Sequence, residues 1–216
     1  MSRFYWMYSL MLIGAAALAS VSGLRSLFTL PATTTALVGS LVGALAFTAF
    51  GVLGSKALIR FRWYRDMASL LKRLLSHDEL LGRDLDTSRA LPIAAYSSLG
   101  EEAFFRGLIQ PYLILWIAKQ AGTEPESFLP IAAGVGVTSL LFGGMHFPVL
   151  KELRPWTLFA VVAGIGFGLL AALSGSILPA VLAHFLINWL NLRWLARSEI
   201  EPTDLEELFG GGPASL

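Results

Sequence analysis

Six apolar runs, each near twenty residues, govern what this chain can fold into. They lie at about 5–22 ("YWMYSLMLIGAAALASVS"), 35–55, 91–118, 128–147, 156–173 and 177–195. Roughly 20 apolar residues in helical form cross the ~30 Å hydrocarbon layer of a bilayer, where each backbone amide must find its partner within the chain. Composition points the same way: 55% of the 216 residues are hydrophobic and 14% are charged, against about a quarter charged in a soluble domain. The expectation is an all-α fold, a polytopic membrane helix bundle of about six spans. A net charge of +1 argues against nucleic acid as a partner, and the absence of cysteine excludes disulfides and thiolate chemistry.

Basic residues orient the spans. Lys56, Arg60, Arg62, Arg65, Lys72, Arg73, Arg83 and Arg89 crowd the segment between the second and third runs. Cytoplasmic loops carry such an excess. Alternating spans then bring Arg3, Lys151, Arg154, Arg193 and Arg197 to the same side. That leaves Arg25 and Lys119 opposite and Arg106 within a run, thirteen against two. Both termini are expected in the cytoplasm. The first run also resembles a secretory signal, with Arg3 before it and the small residues "AAALAS" at its end. Its length and aromatic start favour a retained span.

Inside the basic segment, Met67, Leu70, Leu71, Leu74 and Leu75 recur at i, i+3, i+4, i+7 and i+8, one apolar face of a helix. Lys72 and Arg73 take the opposite side. The expectation is an amphipathic interfacial helix on the inner leaflet, a solvated connector helix being the alternative. Three parts follow: two spans and the basic amphipathic segment over 1–89, a helix bundle over 90–197, and an acidic, disordered tail over 198–216.

Within the third run, "SSLGEEAFFRGLIQ" carries Glu101, Glu102 and Arg106. Counted from Arg89, the glutamates lie ~18 Å along a helix, near mid-membrane. A charge at that depth costs at least ~2.5–3.5 kcal/mol and marks function by default. Glu102 and Arg106 are spaced i, i+4 and can pair, which on its own is a structural ion pair. Glu101 points about 100° away around the helix and needs another partner.

The other apolar runs offer candidates. His77 lies in the hydrophilic segment and reads as a solvated residue. His146 stands in "SLLFGGMHFP" and His184 in "VLAHFLINW", where Asn188 follows it one helical turn later. Polar groups inside a membrane bundle face its interior, so Glu101, His146, His184 and Asn188 are expected to converge. The glycines of "AAGVGVTSLLFGG" and "VVAGIGFGLLAALSGS" speak to close helix packing.

A carboxylate and an imidazole sharing one water form a general-base pair, and a second imidazole with an amide supplies donors to an oxyanion. The set suits hydrolysis of an amide bond by activated water. Ser97, Ser98 and Ser139 lack a nucleophile signature. Glu101, His146 and His184 could also make a one-carboxylate, two-histidine zinc site, although H-E-x-x-H is absent. The expected reading has no cofactor, with zinc as the alternative.

"EEAFFR" is an E-E-x-x-x-R motif, "FGGMH" is F-x-x-x-H and "HFLIN" is H-x-x-x-N. In this order, over about residues 90–195, they resemble the CAAX prenyl protease and bacteriocin-processing (CPBP, or Abi) family of intramembrane endopeptidases. The resemblance implies that Glu101 and His146 activate water and that His184 and Asn188 form the oxyanion hole, with Glu102 and Arg106 in structural and electrostatic roles. It implies a glutamate-type, metal-independent protease acting on a membrane-associated protein or peptide, with the lipid bilayer as its other partner. Eukaryotic members remove the last three residues of prenylated proteins. Bacterial members, which this compact chain is closer to, process bacteriocin peptides, confer immunity or cleave sorting signals. A non-catalytic immunity or scaffold protein of the family is the main alternative. A small transporter using Glu101 as a proton carrier is another.

Overall fold

The computed structural model describes residues 3–24, 28–77, 87–148 and 151–200. Every regular element among them is helical: α1 (Arg3–Val21), α2 (Thr34–Leu58), α3 (Arg62–His77), α4 (Thr87–Phe104), α5 (Gln110–Ala121), α6 (Phe128–Met145), α7 (Arg154–Ser174) and α8 (Leu178–Arg197). A wide π-turn, Phe105–Ile109, joins α4 to α5 as one rod, and the Gln110 N–H reaches back five residues to the Phe105 carbonyl. The side chain of His77 and the tail from residue 201 lie outside the described residues.

Local chemistry sets several boundaries. The Thr33 hydroxyl accepts the Ala36 N–H at 3.1 Å and opens α2. Proline in the first turn of α5, α7 and α8 has no N–H that a helix start would leave unpaired. Gly122 and Gly175, each at φ 65°, close α5 and α7 in the left-handed conformation.

The six expected runs all fall on helices, the third on the α4–α5 rod. By length and apolarity alone α2, α6 and α7 can cross a membrane, and Tyr5–Val21 of α1 is a shorter apolar helix. The rod and α8 fall below that mark because they carry the polar groups, Glu101, Glu102 and Arg106 on one and His184, Asn188 and Asn191 on the other.

Size sorts residues between inside and outside. Ala15, Ala44, Ala103, Ala160, Ala171, Ala180 and Ala183 are buried, while Trp6, Leu10, Leu18, Val42, Phe50, Leu140, Leu158 and Leu173 stand exposed. Water would not tolerate such an apolar surface, whereas lipid solvates it and lets small residues draw the helices together. The chain is an integral membrane protein.

The contacts also fix helix directions. Tyr5 packs on Tyr96 and Tyr8 on Gly100, so α1 and α4 run the same way. Gly43 faces Leu170 and Phe47 faces Gly166, so α2 and α7 run oppositely. Gly51 faces Ile187 and Asn191 bonds Ser55, so α2 and α8 run together. Each sense is the one that six alternating spans require. The first two helices share the core of the later ones: Ala44 clusters with Phe167 and Ala183, and Ala15 with Ala103 and Ile177.

One expectation changes. The apolar face of α3 turns onto protein: Tyr64, Met67 and Leu70 pack with Leu153, Trp156 and Phe159, and Ala68 packs with Ile93 and Leu195. Lys72 donates to the carbonyls of Ser198 and Ile200 at 2.7 and 3.1 Å, tying α3 to the end of α8. The helix is amphipathic as expected, but the start of α7 and the end of α8, rather than lipid, cover its apolar side. Gly100, beside Glu101, lies level with Tyr8 of α1.

Glycine makes the α6–α7 seam. A Cβ at Gly143 would fall inside the Val161 side chain, 3.1 Å from the Thr157 carbonyl oxygen and 3.2 Å from the Val161 nitrogen. Backbone cannot yield as a side-chain tip can. Gly143→Ala is therefore expected to destabilise the protein by about 1–3 kcal/mol, the usual cost of overpacking, read as a lowered thermal midpoint in detergent. An unchanged midpoint would refute the packing described.

Candidate active site

Three helices bring ionisable groups to one point. Glu101 and Glu102 stand late in α4 at 4% and 0% exposure, His184 stands in α8 at 5%, and His146 caps α6. The helices α4 and α8 run antiparallel, so two levels of contact form between them: Glu101 and Glu102 meet His184, and one turn away Ser97 meets Asn188.

Glu102 Oε1 accepts from both sides. His184 Nδ1–H lies 2.8 Å away and Arg106 Nη1 lies 3.2 Å away. The expected i, i+4 ion pair is present, and it also grips an imidazole from another helix. Arg106 is fully enclosed. Its Nη2 donates to the Gly164 carbonyl at 2.9 Å, and its guanidinium lies 4.5 Å from the Phe142 ring centroid and 5.6 Å from that of Phe167. A guanidinium suits such a place because it combines several donors with a face that stacks on rings. A Cβ at Gly164 would come 3.3 Å from Nη2 and 3.2 Å from the Ser139 Cα, so the close approach of α7 depends on that glycine.

Both imidazoles are held from behind. His184 stacks on Phe167, ring centroids 4.6 Å apart and planes 12° from parallel. His146 Nδ1–H donates to the Phe142 carbonyl at 2.8 Å, and its ring meets Phe142 at 4.7 Å and Trp156 at 5.4 Å. The Thr157 hydroxyl donates to the His146 carbonyl at 3.1 Å. With each Nδ1 engaged, both Nε2 atoms face Glu101. They stand 4.0 Å (His146) and 3.8 Å (His184) from Glu101 Oε2, a buried oxygen without a hydrogen-bond partner. Those gaps are too long for a direct hydrogen bond and short enough for one small molecule to touch all three groups.

Asn188 is held one turn from His184, its Nδ2 donating to Ser97 Oγ at 3.2 Å. The structure therefore joins Glu101, Glu102, Arg106, His146 and His184 directly, and places Asn188 at the next level of the same seam. The serines are spent on their own helices. Ser97, Ser98 and Ser139 donate to Ala94, Ala95 and Val135 at 3.3, 3.2 and 2.6 Å. As ligands of one zinc at bonds of roughly 2.0–2.1 Å, donor atoms would sit about 3.4 Å apart. Among the described residues no group of three or more His, Cys, Asp or Glu is arranged to hold a metal ion.

Sequence reasoning did not assign Phe142, Phe167, Trp156 or Tyr8 to this site. Tyr8, from α1, packs against Gly100, beside Glu101. Phe142 had a signal, four residues before His146 in the F-x-x-x-H motif. Phe167 and Tyr8 had none beyond being aromatic in apolar runs.

Residues 85–190 match the family model described as Type II CAAX prenyl endopeptidase Rce1-like, the CAAX family that the three motifs resemble. The chain is also similar to "Uncharacterized protein YpbD" of Bacillus subtilis (strain 168), 29% identical over 132 residues, a stretch covering 57% of this chain and 57% of that relative. The similarity thus spans little more than half of the relative's length. No solved structure matches.

Proposed function

Because residues 85–190 place this chain in the Rce1-like CAAX prenyl endopeptidase family, we propose that it is an intramembrane endopeptidase hydrolysing a peptide bond of a membrane-associated protein or peptide. One observation carries the reading: Glu101 Oε2 faces Nε2 of both His146 and His184 across gaps that one water would span.

In the proposed mechanism that water donates one hydrogen toward Glu101 Oε2 and the other toward His146 Nε2, whose tautomer the Phe142 carbonyl fixes as an acceptor. Glu101 takes the first proton while the hydroxide oxygen bonds to the scissile carbonyl carbon. The carbonyl electron pair moves onto oxygen, where Asn188 donates from its amide and His184, its Nδ1–H given to Glu102, donates from Nε2 as the imidazolium. Collapse of that intermediate breaks the C–N bond, and Glu101 returns the proton to the departing amine. Glu102 fixes the ring of His184, and Arg106 holds Glu102 in place. No step calls on a metal or a covalent enzyme intermediate.

The proposed setting is a bacterial inner membrane with the basic face, the end of α6 and both termini toward the cytoplasm. Substrate then enters from that side, where the His146 side chain is 18% exposed against 5% for Glu101 and 6% for His184. The decisive experiment compares the termini of membrane proteins in cells with the chain, without it, and with Glu101→Gln. New termini that require Glu101 are the expected result. Identical terminus profiles would refute the peptidase and favour a non-catalytic immunity or scaffold role, in which Glu101→Gln keeps the biological effect.

A further inference from the structure

The reacting groups differ in how firmly they are held. Glu102 and His184 are buried and bonded to each other, and Arg106 adds a second grip. His146 stands where α6 ends, its backbone at φ −93° and ψ 11°. Its N–H turns to the Gly143 carbonyl at 2.9 Å, which leaves the Phe142 carbonyl to the ring Nδ1–H. Carbonyls of a last turn lack helical partners and accept such donors. One bond to its own helix does not stop a partly exposed ring from turning, so further support has to come from another element.

The first turn of α7 provides it. Two consecutive residues there reach His146 by different means. Trp156 meets the ring edge-on, centroids 5.4 Å apart and planes at 70°, and the Thr157 hydroxyl holds the backbone carbonyl at 3.1 Å. Trp156 is itself backed by α3, packing against the cluster of Tyr64, Met67, Leu70 and Leu153. One turn further along α7, Phe159 meets Tyr64 edge-on at 5.8 Å and stacks on Trp63 at 6.2 Å. On its other side α3 is fastened to the rest of the bundle, Ala68 against Ile93 and Leu195, and Lys72 on the end of α8. This helix lies outside residues 85–190, the stretch that the family model matches.

We propose that α3 serves the reaction through Trp156: seated on α3, Trp156 is a positioning residue that keeps the His146 ring on the Phe142 carbonyl, with Nε2 toward Glu101. The inference rests on the peptidase reading for its consequence, though not for the contacts themselves. Packing forces are short-ranged, and a gap of about 0.5–1 Å already forfeits a quarter to a half of a contact's attraction. A small shift of α3 is therefore felt at His146. Once the ring can leave the Phe142 carbonyl, nothing selects the tautomer with a bare Nε2, because the partner of one ring nitrogen decides the state of the other. A ring protonated at Nε2 cannot accept a hydrogen from the water that faces Glu101.

The test reads the ring itself, by nitrogen NMR of the full-length protein in detergent with isotope-labelled histidine. The chain has three histidines, and the His146 signals are those lost in His146→Gln. At alkaline pH the wild type is expected to show one neutral form, with Nδ1 protonated and Nε2 bare. Trp156→Phe, which shortens the ring that meets His146, and Leu70→Ala, which hollows its seat on α3, are each expected to show both tautomers. In both variants kcat on a peptide substrate is expected to fall about 10- to 100-fold, with KM unchanged. Ile114→Ala, which opens the α5–α6 seam opposite Gly134, is expected to lower the thermal midpoint and leave the His146 signals and kcat as they were. Mixed tautomers in the wild type, unmoved His146 signals in either α3-side variant, or an equal change in Ile114→Ala would overturn the inference. Trp156→Phe leaves the packing within α3 intact and decides the matter should Leu70→Ala not fold. Should the wild-type protein cleave no peptide, the peptidase reading falls separately, and the spectrum alone decides whether α3 and Trp156 hold the ring.

Discussion

Glu101→Gln is expected to slow peptide hydrolysis by about 10²–10⁴-fold, the contribution of a positioned general base, while the folded protein persists. The change is nearly isosteric, and the side chain is 4% exposed, so packing is preserved. A neutral amide takes no proton from water and returns none to the leaving amine. Single-turnover cleavage of a membrane peptide in detergent measures the effect, and a thermal midpoint confirms the fold. His146→Ala is expected to fall in the same range, since the two groups share one water. Cleavage at the wild-type rate by either variant would remove the proposed mechanism.

The largest effect on stability is expected from Glu102→Ala. The deletion leaves Arg106, at 0% side-chain exposure, as a charge whose nearest anion is gone. Breaking a buried ion pair from one side costs about 3–5 kcal/mol, because the remaining ion keeps its desolvation penalty and loses its attraction. Arg106 still has the Gly164 carbonyl and the Phe142 and Phe167 rings, which soften the loss without neutralising the charge. His184 loses its partner as well, so catalysis should fall along with stability. Reversible unfolding in mixed micelles measures the first, and cleavage at a temperature where the variant stays folded measures the second. A loss below about 1 kcal/mol would mean that Arg106 is solvated in some way the geometry does not describe.

Apolar run length announced the spans, and polar residues placed where they are costly announced the site. The i, i+4 pairing of Glu102 with Arg106 and the shared face of His184 and Asn188 could be read directly, because helix pitch converts spacing into direction. Partners across helices could not. An aromatic residue near the start of an apolar run serves equally as an interface anchor, and nothing in the sequence marks Tyr8 as the neighbour of Gly100, 92 positions later. The face of α3 shows the same limit. Met67 and Leu70 have to be covered, but hydrophobic patterning cannot distinguish acyl chains from Trp156 and Phe159.

The wide turn at Phe105–Ile109 sets the rotational phase of the rod. In an unbroken α-helix, Gln110 would stand about 80° around the axis from Glu102, two steps of four residues each overshooting a full circle. Local unwinding absorbs that overshoot, so Glu102, Arg106 and Gln110 stay in one file, and the latter two reach the carbonyls of Gly164 and Gly168 at 2.9 Å each. The turn therefore works like an escapement between the outer and inner halves of the span. Gain of one further residue there would swing α5 by about 100° and carry the amide of Gln110 toward hydrocarbon. The reacting groups one turn below would be unmoved.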